Sequence, residues 1–115
     1  MKFRIAHVSL LAATVAALML SATASAAVDA DAAKALAKKN DCFKCHAVDK
    51  TKKGPSYKKI AEKFKGKADA EEKIVKNLTT GPKVKLEDGT EEDHKIIDTK
   101  DKAEIKNLID WILAQ

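Results

Sequence analysis

Cys42, Cys45 and His46, in the run Cys42-Phe43-Lys44-Cys45-His46, are the residues whose types and spacing carry the most chemistry. Two cysteines at this spacing can offer both sulfurs to the two vinyl groups of one porphyrin, so that two thioether bonds tether a c-type haem. The histidine that follows then lies under the iron and is the candidate proximal ligand. The chain has two cysteines in all, and the motif uses both. A disulfide across so short a loop would be strained and would constrain little chain. A thioredoxin-like redox pair belongs in a βαβ setting, and the downstream sequence shows no such alternation. A zinc site needs further ligands, commonly a second cysteine pair, and there is none. One covalently attached haem is the expectation.

The start of the chain agrees with it. Residues 1–26 read as a secretory signal peptide: Lys2 and Arg4 supply the positive start, Val8 to Leu20 the apolar run, and Ala24-Ser25-Ala26 a small-residue cleavage site, with Ala24 as a second possible site. A retained membrane anchor is the alternative, but the apolar run falls short of the roughly 20 residues that span a bilayer. The mature domain would cover residues 27–115, exported to the periplasm and without stable membrane insertion. Cleavage also removes Met1, Met19 and His7, leaving no methionine and only His46 and His94 as histidines.

Charge excludes little beyond one class of partner. The chain has 22 basic and 17 acidic residues, a net +5, and the two signs are interspersed, so nucleic-acid binding is not indicated. The lysines either solvate the surface or steer an acidic redox partner. Phe43, Tyr57, Phe64 and Trp111 are the only aromatics past the leader. So small a domain buries little on its own, and a tethered porphyrin would supply an apolar body for short helices to pack on.

The elements that must position the motif can be read along the mature chain. Asp31 to Lys39 is rich in strong helix formers, with Asp29 or Asp31 as its cap, and runs directly into the motif. A lysine-rich loop ends at Gly54-Pro55. Ser56 then caps a short helix from Tyr57 to about Phe64, with Tyr57, Ile60, Ala61 and Phe64 on one face and Gly66 ending it. Asp69 and Glu72 form a capping box for a helix to about Leu78, which turns Ile74, Val75 and Leu78 inward and stops at Gly81-Pro82. Val84-Lys85-Leu86 alternates and Asp88-Gly89 is a turn signal, which permits a small hairpin. A last helix runs from about Lys100 to Ala114, capped by Thr99 or Asp98, with Ile105, Leu108, Ile109 and Ile112 as its apolar stripe.

The mature chain resembles a small bacterial class I c-type cytochrome of the short c-551/c-552 type over essentially its whole length. The resemblance rests on the helix entering Cys42-x-x-Cys45-His46, on Gly54-Pro55-Ser56-Tyr57 with its short helix, and on Trp111-Ile112-Leu113 in the last helix. It implies an all-α fold: one small cytochrome c domain of three to five helices wrapped around one covalent haem, the first and last helices crossing near the haem edge. It implies that the Pro55 carbonyl accepts a hydrogen bond from His46, fixing its tautomer. The leading reading is a one-electron carrier, expected as a monomer, that exchanges electrons with redox partner proteins through the exposed haem edge. Nothing resembles a catalytic nucleophile or an acid–base pair, so it is not expected to be an enzyme.

The departure from the family is the sixth ligand. Relatives usually supply a methionine from the loop before the last helix, and none remains here. His94 sits close to that place, so bis-histidine ligation is expected, His46 proximal and His94 distal. Lys83, Lys85 or an open site are the alternatives. Imidazole stabilises Fe(III) relative to a thioether, so the potential should be lower than that of methionine-ligated relatives. An open or labile distal site would instead suit a gas-binding or sensor protein, and docking into a larger redox complex is a third reading.

Overall fold

A computed structural model describes residues 27–115; the signal-peptide reading of residues 1–26 lies outside the described residues. Five helices and one hairpin follow in order: α1 Ala30–Lys39, α2 Cys42–Cys45, α3 Tyr57–Phe64, α4 Ala70–Thr80, β1 Lys83–Lys85, β2 Glu91–Asp93 and α5 Lys102–Leu113. No helix among the described residues is long and apolar enough to cross a membrane.

The frame is α1 against α5, with α3 and α4 also packed on α5. Ala33 and Ala37, one turn apart on α1, are buried, and their small side chains let α5 approach closely. From α5, Ile105, Leu108, Ile109, Trp111 and Ile112 enter the core and meet Tyr57, Ile74, Leu78 and Ile97. Burying one such aliphatic side chain contributes roughly 1.5–3 kcal/mol. The expected apolar stripe of the last helix is therefore the centre of the fold.

Helix starts differ in part from expectation. Asp29 caps α1 by accepting from Ala32 N–H at 3.0 Å, and Ser56 caps α3 by accepting from Lys59 N–H at 3.1 Å. The capping box at Asp69 does not form. Its backbone is already close to helical, at φ −94° and ψ 9°, so the carboxylate is not turned back over the first amides. It pairs with Lys73 at 2.8 Å instead. For α5 the cap is Asp101, which accepts from Ala103 and Glu104 N–H, and not Thr99 or Asp98. Thr99 supports it indirectly, accepting from Asp101 N–H at 3.1 Å.

The hairpin allowed by the sequence is present. Its two strands run antiparallel, Lys83 opposite Asp93 and Lys85 opposite Glu91. Gly89 takes the left-handed turn position at φ 86°. The fold is thus all-α apart from this two-stranded addition, which occupies one side of the cavity described next.

Candidate haem site

The motif is presented by a kink. After α1 ends, Asp41 adopts a left-handed conformation at φ 59°, one that Asp tolerates better than most residues. The chain then turns into α2, the single helical turn that carries Cys42 and Cys45. His46 N–H donates back to Cys42 O at 2.9 Å, which closes that turn. Both cysteines are free and half-buried.

Residues 47–56 fold back over the motif. Gly54 N–H donates to Cys45 O at 2.8 Å and Tyr57 N–H to Ala47 O at 2.9 Å. This return brings the Pro55 carbonyl within 2.6 Å of His46 Nδ1. A carbonyl can only accept, so Nδ1 carries the proton and Nε2 keeps its lone pair. Burial pushes the proton affinity of His46 below its usual value; the Pro55 carbonyl opposes this and nearby His94 adds to it. Tyr57, buried and stacked on His46 with centroids 5.3 Å apart, supports the ring from one side. Trp111 meets Tyr57 edge-on at 5.2 Å, which ties the ligand side of the site to α5. Burial also raises the Tyr57 phenol above its ordinary range, so it stays protonated.

His94 approaches from the segment that follows β2. Its Nδ1 lies 3.0 Å from Lys95 O, which again leaves Nε2 with the lone pair. The two imidazoles stand 6.3 Å apart between centroids, tilted by 42°. Of the alternative ligands, Lys83 is paired with Asp93 at 3.2 Å, whereas Lys85 borders the cavity.

Between these residues lies a cavity of about 500 Å³. Cys42, Cys45 and His46 line it on the motif side, Ile60, Phe64, Leu78 and Ile112 supply apolar wall, and His94 faces it from the hairpin side. The volume falls within the roughly 300–1,000 Å³ of small-molecule and cofactor sites. A metal held by two imidazole nitrogens at about 2.0 Å each, with each ring centre roughly 1 Å further back, needs centroids about 6 Å apart. The residues fit a haem: two free thiols at one edge, an apolar lining, and two imidazoles spaced for one metal ion.

Cytochrome c is the family model that matches this sequence, over residues 30–115. The chain belongs to the cytochrome c family. This cytochrome is similar in structure to the class 1 cytochrome MtoD from Sideroxydans lithotrophicus ES-1, at 62% identity and a TM-score of 0.73, covering 76% of this chain and 97% of that one. It is 33% identical over 112 residues to cytochrome c-552 of Nitrosomonas europaea, covering 88% of this chain and 91% of that protein. It is also 41% identical over 46 residues to cytochrome c-551 of Pseudomonas aeruginosa, a stretch that spans only 44% of that protein. The cofactor of this cytochrome is one c-type haem, attached through Cys42 and Cys45.

Three residues of the site had no reading as such in the sequence. A Cβ at Gly54 would lie 2.9 Å from His46 Cε1, so only glycine lets the ring seat against the loop. A Cβ at Gly81, which sits at φ 58°, would lie 2.8 Å from His94 O. Asn40 is buried and accepts from Asp98 N–H at 2.7 Å. The only local signal for Asn40 is its place just after a helical run, where a cap residue belongs.

Proposed function

We propose that this cytochrome is a periplasmic one-electron carrier whose haem iron is held by His46 on the proximal side and His94 on the distal side. The observation that carries this reading is the pair of imidazoles 6.3 Å apart across the cavity, each with its Nδ1 engaged by a carbonyl. The haem, when bound, supplies an Fe(III)/Fe(II) couple. The protein's part is to hold that couple in one geometry.

Cys42 and Cys45 fix one haem edge. His46 is seated by Gly54 and Tyr57, and its Nδ1–H donates to the Pro55 carbonyl, which makes Nε2 a stronger donor. The apolar wall of Ile60, Phe64, Leu78 and Ile112 excludes water, and a low local dielectric disfavours the extra charge of Fe(III). The second imidazole works against that effect. It stabilises Fe(III) more than a thioether does, so the potential lies below that of methionine-ligated relatives.

With His46 and His94 both holding the iron, no site would remain for a substrate to bind to it, and no enzymatic step is needed. Lys59 and Lys63 border the cavity, which suits docking by a monomer onto an acidic face of a redox partner. The leader sequence supports a periplasmic location.

The test is His94→Met in the holoprotein. A tenfold change in relative affinity for the two oxidation states moves a one-electron couple by about 59 mV, and the midpoint should rise by at least that step. An unchanged potential, together with rapid carbon monoxide binding by the parent, would replace this reading with an open-site ligand-binding protein.

A further inference from the structure

The stretch from His94 to Asp98 is held at three points. His94 N–H donates to Pro82 O at 2.8 Å and Ile97 N–H to Leu78 O at 2.8 Å. Asp98 N–H donates to Asn40 Oδ1 at 2.7 Å. The first two anchors are backbone carbonyls at the end of α4 and in the turn after it. The third is a side chain from the opposite wall, two residues before Cys42.

Asn40 is only 2% exposed. Its Nδ2 donates to Leu36 O at 3.0 Å, so each end of the amide has a partner: one in the last turn of α1, the other in the segment beyond His94. Its side chain also borders the haem cavity. A neutral amide suits this place. It donates to a helix C-terminal carbonyl, which a carboxylate would repel, and it also accepts from a backbone amide. With the Asn40 contact gone, the His94 segment keeps its bonds to Leu78 O and Pro82 O and the packing of Ile97, but loses its tie to the α1 side.

We propose that Asn40 is a positioning residue for the distal ligand. Its bond to the Asp98 amide latches the His94 segment to the haem-attachment end of α1 and so sets how rarely His94 leaves the iron. The inference rests on the reading of His94 as that ligand.

The experiment follows displacement of the distal ligand by added imidazole or cyanide in the ferric holoprotein, by stopped-flow absorption. Asn40→Ala removes the latch, and exchange should quicken about tenfold, the scale of one lost hydrogen bond. Asn107→Ala is the matched control: it deletes the other long-range amide clasp, in which Asn107 accepts from Asp29 N–H and donates to Asp29 O, both at 2.9 Å. It should lower the urea midpoint while leaving exchange within roughly twofold of the parent, because its partner lies at the start of α1 and it does not border the cavity. Asn40→Asp keeps an oxygen for the Asp98 amide, so it should exchange more slowly than Asn40→Ala although its buried charge costs more stability. Exchange in Asn40→Ala at the parent rate overturns the latch, as does acceleration of Asn107→Ala or Asn40→Asp to the same extent. The parent's own ferric spectrum separates the two readings: without an imidazole pair both fall, and with one present an unaccelerated Asn40→Ala removes the latch alone.

Discussion

No side chain fits at Gly54, because its Cβ would lie 2.9 Å from Cε1 and 3.2 Å from Nδ1 of the His46 imidazole. The ring rests directly on the backbone of the loop whose next residue, Pro55, supplies its hydrogen-bond acceptor. Gly54→Ala must therefore push the ring aside by a few tenths of an ångström. Overpacking of this kind costs about 1–3 kcal/mol. The expected result is a lower urea midpoint and a shifted Soret band in the same variant. A variant with parental stability and spectrum would show that the contact is not close in solution.

Gly81 plays the matching part on the other wall. Alanine there must hold φ near 58° and also clear His94 O and Ile96 Cγ1, each 2.8 Å from the new Cβ. The backbone term alone costs roughly 1–2 kcal/mol. Because the clash falls on the His94 segment, Gly81→Ala should raise the high-spin fraction and the rate of carbon monoxide binding more than Gly54→Ala does. Equal effects on the distal side would contradict that division of labour.

Caps give a sharper comparison, because the sequence and the fold choose different residues. Asp101→Ala removes a carboxylate that accepts from two amides and should cost about 1 kcal/mol. Asp69→Ala removes only an exposed ion pair with Lys73, and pairs of that kind contribute little. Thermal unfolding of the two holoproteins should show a clear drop for the first and almost none for the second. The reverse order would restore the capping box.

What was legible in the sequence was what is decided within a few residues. Cys42, Cys45 and His46 declare themselves because covalent attachment fixes their spacing. Asp29 and Ser56 cap because their neighbours already point the amides at them. The apolar stripe of α5 follows from helical periodicity alone. At the start of α5, however, Asp98, Thr99 and Asp101 are all able to cap. The choice falls to Asp101 because the distant Asn40 and Leu78 have already engaged the amides of Asp98 and Ile97. The same non-locality hid the roles of Asn40, Gly54 and Gly81, whose partners lie on other elements. The hairpin left only a faint trace because each strand is three residues long.

Acid should weaken the fold in a defined window. Burial holds His46 below its ordinary 6.5, so as pH falls through that value the unfolded chain takes up a proton that the folded chain does not. The stability involved is complete above about pH 6.5, is lost progressively below it, and levels off once the pH passes the folded value. Coordination acts in the same direction, since proton and metal compete for one lone pair. The Asp69 and Asp88 carboxyls, held below their usual range by hydrogen bonds to Lys73 and Thr90, titrate beneath this window. Urea midpoints measured from about pH 8 to pH 5 should therefore fall on acidification. A flat profile would contradict both the burial of His46 and the competition of proton and metal for its lone pair.

The axial pair itself is read most directly by low-temperature electron paramagnetic resonance of the oxidised holoprotein. Two imidazoles from His46 and His94 should give a single low-spin ferric species with bis-histidine anisotropy, and His94→Ala should abolish it. A parent spectrum that is high-spin, or that survives His94→Ala unchanged, would contradict the assignment of the distal ligand.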